Sequence, residues 1–417
     1  MPDVRSWIYL CVASGYIVGL TRFCQEKTSL AQAFNALLGC VCVQQQLSIR
    51  LDQSDDLCHF SCKFLAPARG VFLIQKTKSH GIPADVLSGR ERRIPLLHGS
   101  KDPFACVSEA LERVEENLAR AIRSREQNLT DISAHLILSG GKRVRPMVTL
   151  LAYSAFGGQH TQDIVDIATA IELIHTATLL HDDIIDGAET RRGKESAYKK
   201  FGLKSTLVAG DFLFIKAFEF AGKFDETVVQ WTADACTLLT EGEILQGHFN
   251  RNRAVTVDDY LEIVKRKTAS LFHTGAKVGA YLAGAPTSLV EEAERYGLNM
   301  GIAFQMVDEV LDVVGHVDLL GKPVGMDLRD GNPALPIVLA VNHQEPAVSA
   351  VFENSKPSEE QIDSALTAIK TGPSIQEAKS LSKRYAREAL KSVKKLPPSM
   401  YRNGLKTLVQ LIIDRDF

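Results

Sequence analysis

From Val107 onward, apolar residues return every three or four positions among charged ones. Leu111, Val114, Leu118 and Ile122 form one such stripe, the signature of an amphipathic helix with one face on a core. Ile132, Leu136 and Leu138 continue the pattern until Ser139-Gly140-Gly141 stops the helix. Pro146 suits the first turn of the next helix, which Phe156-Gly157-Gly158 ends. Thr161 stands where it can cap a long helix through Ile164, Ile167, Ile171, Ile174 and Leu179 to Asp186. The same spacing predicts helices over 205–222, 225–247, 257–283, 288–313, 333–351, 358–370, 374–395 and 398–415. No run alternates as a strand does, and no short-period repeat is present. The expected class is all-α, one large helical domain over 106–417 with long helices around a central cavity.

Residues 1–105 are patterned poorly; only Leu30–Val43 holds a period. The apolar run over 7–20 has 14 residues, short of the about 20 that a membrane helix needs. Asp3 and the lack of a small-x-small cleavage site argue against an export signal. Seven of the eight cysteines lie at or before 106, yet Cys58, His59 and Cys62 make only half a metal site. Reduced thiols are the expectation. Pro83, Pro95, Gly99, Ser100 and Pro103 read as linker. The segment is expected to be a weakly ordered extension, or an overextended start of the reading frame with Val107 as an internal start.

Composition changes the picture little. Of 417 residues, 45% are hydrophobic and 24% charged, ordinary for a globular protein. That excludes a disordered, collagen-like or polytopic membrane chain. Charge sharpens the seam. Residues 1–105 carry 12 of the 48 Lys/Arg and 8 of the 50 Asp/Glu, a net of +4, leaving 36 and 42, a net of −6. With a formal net charge of −2, no global field holds nucleic acid, so anion binding must come from local clusters.

Such clusters exist. In His181-Asp182-Asp183-Ile184-Ile185-Asp186, the four-residue spacing stacks Asp182 and Asp186 on one helical face. An acidic cluster ending an almost wholly apolar helix is costly unless it binds something. Mg²⁺ with phosphate oxygens suits these hard ligands. Asp308 and Asp312 repeat the spacing in an equally apolar setting. Facing each other across a cavity, the two clusters would hold Mg²⁺ around a diphosphate and ease its departure. Cations follow. Gly140-Gly141-Lys142-Arg143-Val144-Arg145-Pro146 places three of them on a glycine turn entering a helix, whose N-terminus adds partial positive charge. Arg191-Arg192-Gly193 follows the first acidic cluster, and arginine forks match phosphate oxygens. Lys267-Thr268 and Lys322 offer further donors. His175, two helical turns before Asp182, shares its face, and Gln305 is polar amid an apolar run.

At these residues the chain resembles the trans-polyprenyl diphosphate synthases, which include farnesyl, geranylgeranyl, octaprenyl and solanesyl diphosphate synthases. The motifs are GGKRVRP, HTATLLHDDIID followed by TRRGK, AGDFLF, EGEILQ, KTASLF, FQMVDEVLD and LGKPVG. The likeness runs from about Val107 to Phe417 and covers none of the first hundred residues. The resemblance implies the isoprenoid synthase helical bundle, usually a homodimer, that adds isopentenyl diphosphate to an allylic diphosphate with Mg²⁺. It implies a catalytic set of Asp182, Asp183, Asp186, Lys267 and Asp308, with Asp182, Asp186, Asp308 and Asp312 as metal ligands. Lys142, Arg145, His175 and Arg192 would hold isopentenyl diphosphate. Arg191, Lys267, Thr268, Gln305 and Lys322 would hold the allylic partner. Three positions depart from the family's usual pattern: Glu309 where it has Asp, and Met326 and Asn332 where it often has Lys.

Product length follows from bulk one turn behind Asp182, which acts as a floor for the growing chain. Ala177 and Thr178 are small there. The expectation is a product beyond geranylgeranyl, in the quinone side-chain range, from a farnesyl or geranylgeranyl starter. The alternatives are a geranylgeranyl synthase, the catalytic subunit of a heteromer and a terpene cyclase. A cyclase has no need of the second diphosphate pocket that GGKRVRP and Arg192 would make. A cytoplasmic protein is expected, with peripheral membrane association left open because the product would be lipid.

Overall fold

The computed structural model describes residues 103–315 and 324–414, together with the backbone of two strands, β1 (Tyr9–Ala13) and β2 (Tyr16–Leu20). The expectations for Lys322, the Cys58–Cys62 cluster and most of the N-terminal extension lie outside the described residues. The chain divides into two units, Met1–Leu87 and Ser88–Phe417. In the first unit β1 and β2 pair antiparallel, with Tyr9 opposite Leu20.

In the second unit, a short 3₁₀ turn leads into α1 (Ser108–Ala121), followed by α2 (Gln127–Ile137), α3 (Val144–Ala155) and α4 (Gln162–Ile185). A two-residue hairpin, β3 (Thr190–Arg191) with β4 (Lys194–Glu195), precedes α5 (Ala197–Phe201). It is too short to leave an alternating pattern. Then come α6 (Leu203–Ala221), α7 (Glu226–Phe249) and α8 (Val257–Val264). A π-turn over Lys265–Ala269 joins α8 to α9 (Ser270–Leu282), so the expected 257–283 helix is continuous but carries a bulge. The long α10 (Thr287–Val314) follows. After it come α11 (Met326–Asp330), α12 (Leu335–Asn342), α13 (Pro346–Glu353), α14 (Glu359–Thr371), α15 (Ser374–Lys395) and α16 (Met400–Ile413).

The expected helix over 333–351 is two helices. Gln344 turns left-handed at φ 59°, and Pro346 starts the second segment because it needs no N–H partner there. Thr161 does hold the N-cap position of α4, with extended dihedrals, but its side chain makes no capping bond.

The helices bury two apolar clusters. The larger gathers α1 to α4, α6, α7 and α9 with the first half of α10 and parts of α15 and α16; Leu150, Ile164, Leu173 and Phe272 sit at its centre. The smaller joins α8 and the second half of α10 to α12–α15 through Tyr260, Met306, Leu335 and Phe352. The helix α10 bridges both. Of the described helices, α4 alone is long and apolar enough to cross a membrane, yet 78% of its apolar window is buried by its neighbours, as in a core helix. Its last turn emerges from that core carrying the acidic cluster.

Candidate active site

A cavity of about 550 Å³ opens among α4, α7, the π-turn and α10. Asp182 and Asp186 reach its wall from the end of α4, and Asp308 reaches it from α10. Burial pushes the Asp182 carboxyl up to about 7, with Glu243 and Asp186 adding to the rise against the opposing pull of Lys267. Burial raises Asp186 in the same way. Carboxylates so placed favour a cation. Among the described residues no three His, Cys, Asp or Glu side chains close into a full metal cage. Asp182, Asp186 and Asp308 offer hard carboxylate oxygens of the kind that a divalent cation takes.

Lys267 is delivered by the π-turn. A Cβ on Gly242 of α7 would come within 2.7 Å of the Lys267 backbone nitrogen, and one on Gly301 of α10 within 2.7 Å of the Ala269 Cα. The turn is thus clasped between two helices that approach only at glycine. Its ammonium lies 2.5 Å from a Glu243 carboxylate oxygen and donates to Gln246 Oε1 at 3.3 Å. Burial opposes the Lys267 charge, but Asp182 and Glu243 outweigh it and raise its pKa. Glu243 and Gln246 share the wall and were not singled out from the sequence, although both stand in the EGEILQ motif.

Arg145 and His175 form the basic side. Arg145 stacks on Phe272 at 4.6 Å and meets His175 Nε2 at 3.2 Å. Burial, and then the Arg145 charge, hold the His175 pKa well down, so the ring is neutral. Burial lowers Arg145 to about 10, which still leaves it charged at neutral pH. The Arg145 Nε is buried without a hydrogen-bond partner, so a donor in this wall awaits an acceptor.

Arg191 joins the wall and is anchored by Asp183, whose Oδ1 accepts from its Nε at 2.8 Å. Asp183 itself is 1% exposed and off the wall. Its Oδ1 is committed to the Arg191 guanidinium, which it holds at the wall. Arg192 is also off the wall, in left-handed backbone at φ 52°, donating to the carbonyls of Leu136 and Gly140. Lys142 is exposed and does not line the cavity. Arg143, the third cation of that turn, is a strut: it pairs with Glu172 at 2.8 Å and Glu115 at 2.5 Å and donates to the Ile137 carbonyl.

The second acidic cluster divides. Asp308 faces the cavity, whereas Asp312 is 2% exposed and accepts the Asp327 amide at 3.3 Å. Glu309 touches the wall but points its oxygens at protein donors. Burial, with Asp327 nearby, pushes its carboxyl up to about 8. Thr268 and Gln305 also line the cavity and are joined, Thr268 Oγ1 donating to Gln305 Oε1 at 3.1 Å. Asn332 lines it too and accepts from Gln246 at 3.4 Å; Met326 does not. Of the expected chain-length pair, Thr178 is on the wall. Ala177, one residue round the helix, is fully buried in the larger core.

Comparison with known proteins agrees with this geometry. Residues 126–369 match the polyprenyl synthetase family. The chain is 31% identical over 311 residues to octaprenyl diphosphate synthase of Haemophilus influenzae, covering 74% of this chain and 94% of that protein. It is 34% identical over 320 residues to heptaprenyl diphosphate synthase component 2 of Geobacillus stearothermophilus, covering 76% and 99% respectively. Among solved structures, polyprenyl synthase from Caulobacter crescentus, complexed with calcium and isoprenyl diphosphate, superposes with a TM-score of 0.73 at 32% identity, covering 77% of this chain and 99% of that one. With the helical bundle, the paired acidic helices and this extent of likeness together, the chain belongs to the polyprenyl synthetase family.

Proposed function

We propose that this enzyme condenses isopentenyl diphosphate with an allylic diphosphate, in trans and head to tail, to make a long-chain polyprenyl diphosphate of the kind used for quinone side chains. One observation carries the reading. A single cavity is acidic where Asp182, Asp186 and Asp308 reach it and cationic where Arg145, Arg191 and Lys267 do. A monophosphorylated ligand would need only part of that set; two diphosphates and their cations use all of it. Asp182, Asp186 and Asp308 would hold Mg²⁺, which when bound neutralises the departing pyrophosphate. Arg191 and Lys267 orient the allylic diphosphate. Arg145, with neutral His175 beside it, offers its unpartnered Nε to isopentenyl diphosphate. Thr178, small and on the wall, leaves room for a growing chain, and the heptaprenyl and octaprenyl relatives favour long products from a farnesyl or geranylgeranyl starter.

We also propose a homodimer. The helix α6 presents Leu203, Leu207, Val208, Ile215 and Phe218 to solvent, and Ile244 on α7 is 63% exposed. A stripe of that size favours coverage by a partner. The second reading, a catalytic subunit of a two-component synthase, is favoured by the name of the Geobacillus relative. A cytoplasmic place at a membrane periphery belongs to the same proposal, since the product is lipid.

The test is pyrophosphate release from farnesyl diphosphate with and without isopentenyl diphosphate. Release that requires isopentenyl diphosphate is expected. Release without it would indicate a cyclase.

A further inference from the structure

Glu309 stands where the family's usual motif has aspartate, and it turns both carboxyl oxygens to protein donors. Its Oε2 accepts the backbone N–H of Leu335 at 2.8 Å, at the first position of α12. Its Oε1 accepts from Gln305 Nε2 at 3.0 Å, and Gln305 Oε1 in turn accepts from Thr268 Oγ1 at 3.1 Å. Both Glu309 oxygens are engaged as acceptors, Oε2 by the Leu335 amide and Oε1 by the Gln305 amide. Glu309 therefore dictates which end of the Gln305 amide is which, and through it fixes that Thr268 donates inward to Gln305. The chain of contacts links three separately folded pieces: the clasped π-turn, α10 and the start of α12, next to wall residues Asn332 and Ala334.

We infer that Glu309 is a positioning residue for the allylic half of the reaction, orienting the Gln305 amide and the Thr268 hydroxyl, and not a ligand of the metal. This rests on the proposed synthase reading. It assigns a purpose to the departure from aspartate: glutamate has the reach to hold both Gln305 and the Leu335 amide from one position on α10.

Glu309→Gln isolates the claim. Its side-chain oxygen still accepts from Leu335, so the start of α12 stays capped, but its new amide N–H₂ meets that of Gln305 and forces the Gln305 amide to flip. The experiment uses the full chain with farnesyl and isopentenyl diphosphates. Expected for Glu309→Gln is a fall in kcat/KM for farnesyl diphosphate of roughly 10- to 100-fold, the usual cost of a misaligned polar contact. The KM for isopentenyl diphosphate and the half-saturating Mg²⁺ concentration should stay within about twofold of wild type. Thr268→Val should show a similar loss, and the double variant should be little worse than the weaker single variant because both act on one amide. Three results would overturn the inference: a large rise in the Mg²⁺ requirement of Glu309→Gln, losses that multiply in the double variant, or unchanged farnesyl kinetics. A wild-type chain that consumes no isopentenyl diphosphate would instead remove the synthase reading, and this inference with it.

Discussion

Replacing Arg143 by methionine should destabilise the helical unit severely, although Arg143 lies outside the cavity. Its side chain is 2% exposed and that of Glu172 4%, while Glu115 is 44% exposed. The exposed arm adds at most about 1 kcal/mol. The buried arm decides the outcome, because methionine leaves the Glu172 carboxylate buried without its counter-charge. Breaking such a pair costs about 3–5 kcal/mol. For a domain of this size that lowers Tm by on the order of 10 °C. The backbone adds nothing to the cost, since methionine tolerates the φ of 48° no worse than arginine. The assay is urea unfolding followed by circular dichroism, reading the midpoint at constant m. A second change, Glu172→Met, should recover most of the loss, because an apolar pair of similar volume replaces a buried ion pair at little cost. A single variant that loses less than about 1 kcal/mol, or a double variant no better than the single, would refute the strut assignment. The single variant should also raise the KM for isopentenyl diphosphate, since Arg143 sets the entry of the helix that carries Arg145.

Three further outcomes follow from the same geometry. In the metal-free protein, Asp182 and Glu309 sit near 7 and 8, above their ordinary 3.8 and 4.5. Their stabilising contribution is complete below the ordinary carboxylate range and is lost as pH rises through about 7–8. Metal-free Tm should therefore fall from about pH 4 to about pH 8 and level off above it, and Mg²⁺ affinity should weaken as protons compete below pH 7; a flat profile in both would count against the buried carboxylates. Thr178→Phe should shorten the product by narrowing the cavity, whereas Ala177→Phe should overpack the core at a cost of about 1–3 kcal/mol with less effect on length. The reverse order of effects would return Ala177 to the wall. Leu207→Lys together with Val208→Asp should convert dimer to monomer in sedimentation, and a dimer that persists would place the interface elsewhere.

The helical period made the fold readable, because most described helices carry an apolar stripe and end at glycine or proline. It failed at 333–351, where the apolar run is continuous and only Gln344 and Pro346 break the backbone. It also missed the π-turn at 265–269, since one inserted residue hardly disturbs a stripe. In the site, Asp182, Asp186 and Asp308 were legible because acidic residues are costly on apolar helices. The cations were harder to sort. Lys142, Arg143, Arg145, Arg191 and Arg192 are alike in sequence, and only tertiary partners separate the struts Arg143 and Arg192 from the wall residues Arg145 and Arg191. Asp183 and Glu309 adjoin the acidic wall residues in sequence, and only the tertiary structure shows that their side chains meet Arg191 and Gln305. Glu243 was passed over because its partner Lys267 reaches it across two helices.

The central claim is that one cavity joins two diphosphates into a longer one. The most direct measurement supplies the full chain with farnesyl diphosphate, labelled isopentenyl diphosphate and Mg²⁺, then sizes the extracted polyprenols by chromatography. The account predicts label in chains longer than geranylgeranyl, abolished by Asp182→Ala. Unlabelled products alone, or no incorporation by well-folded protein, would contradict it.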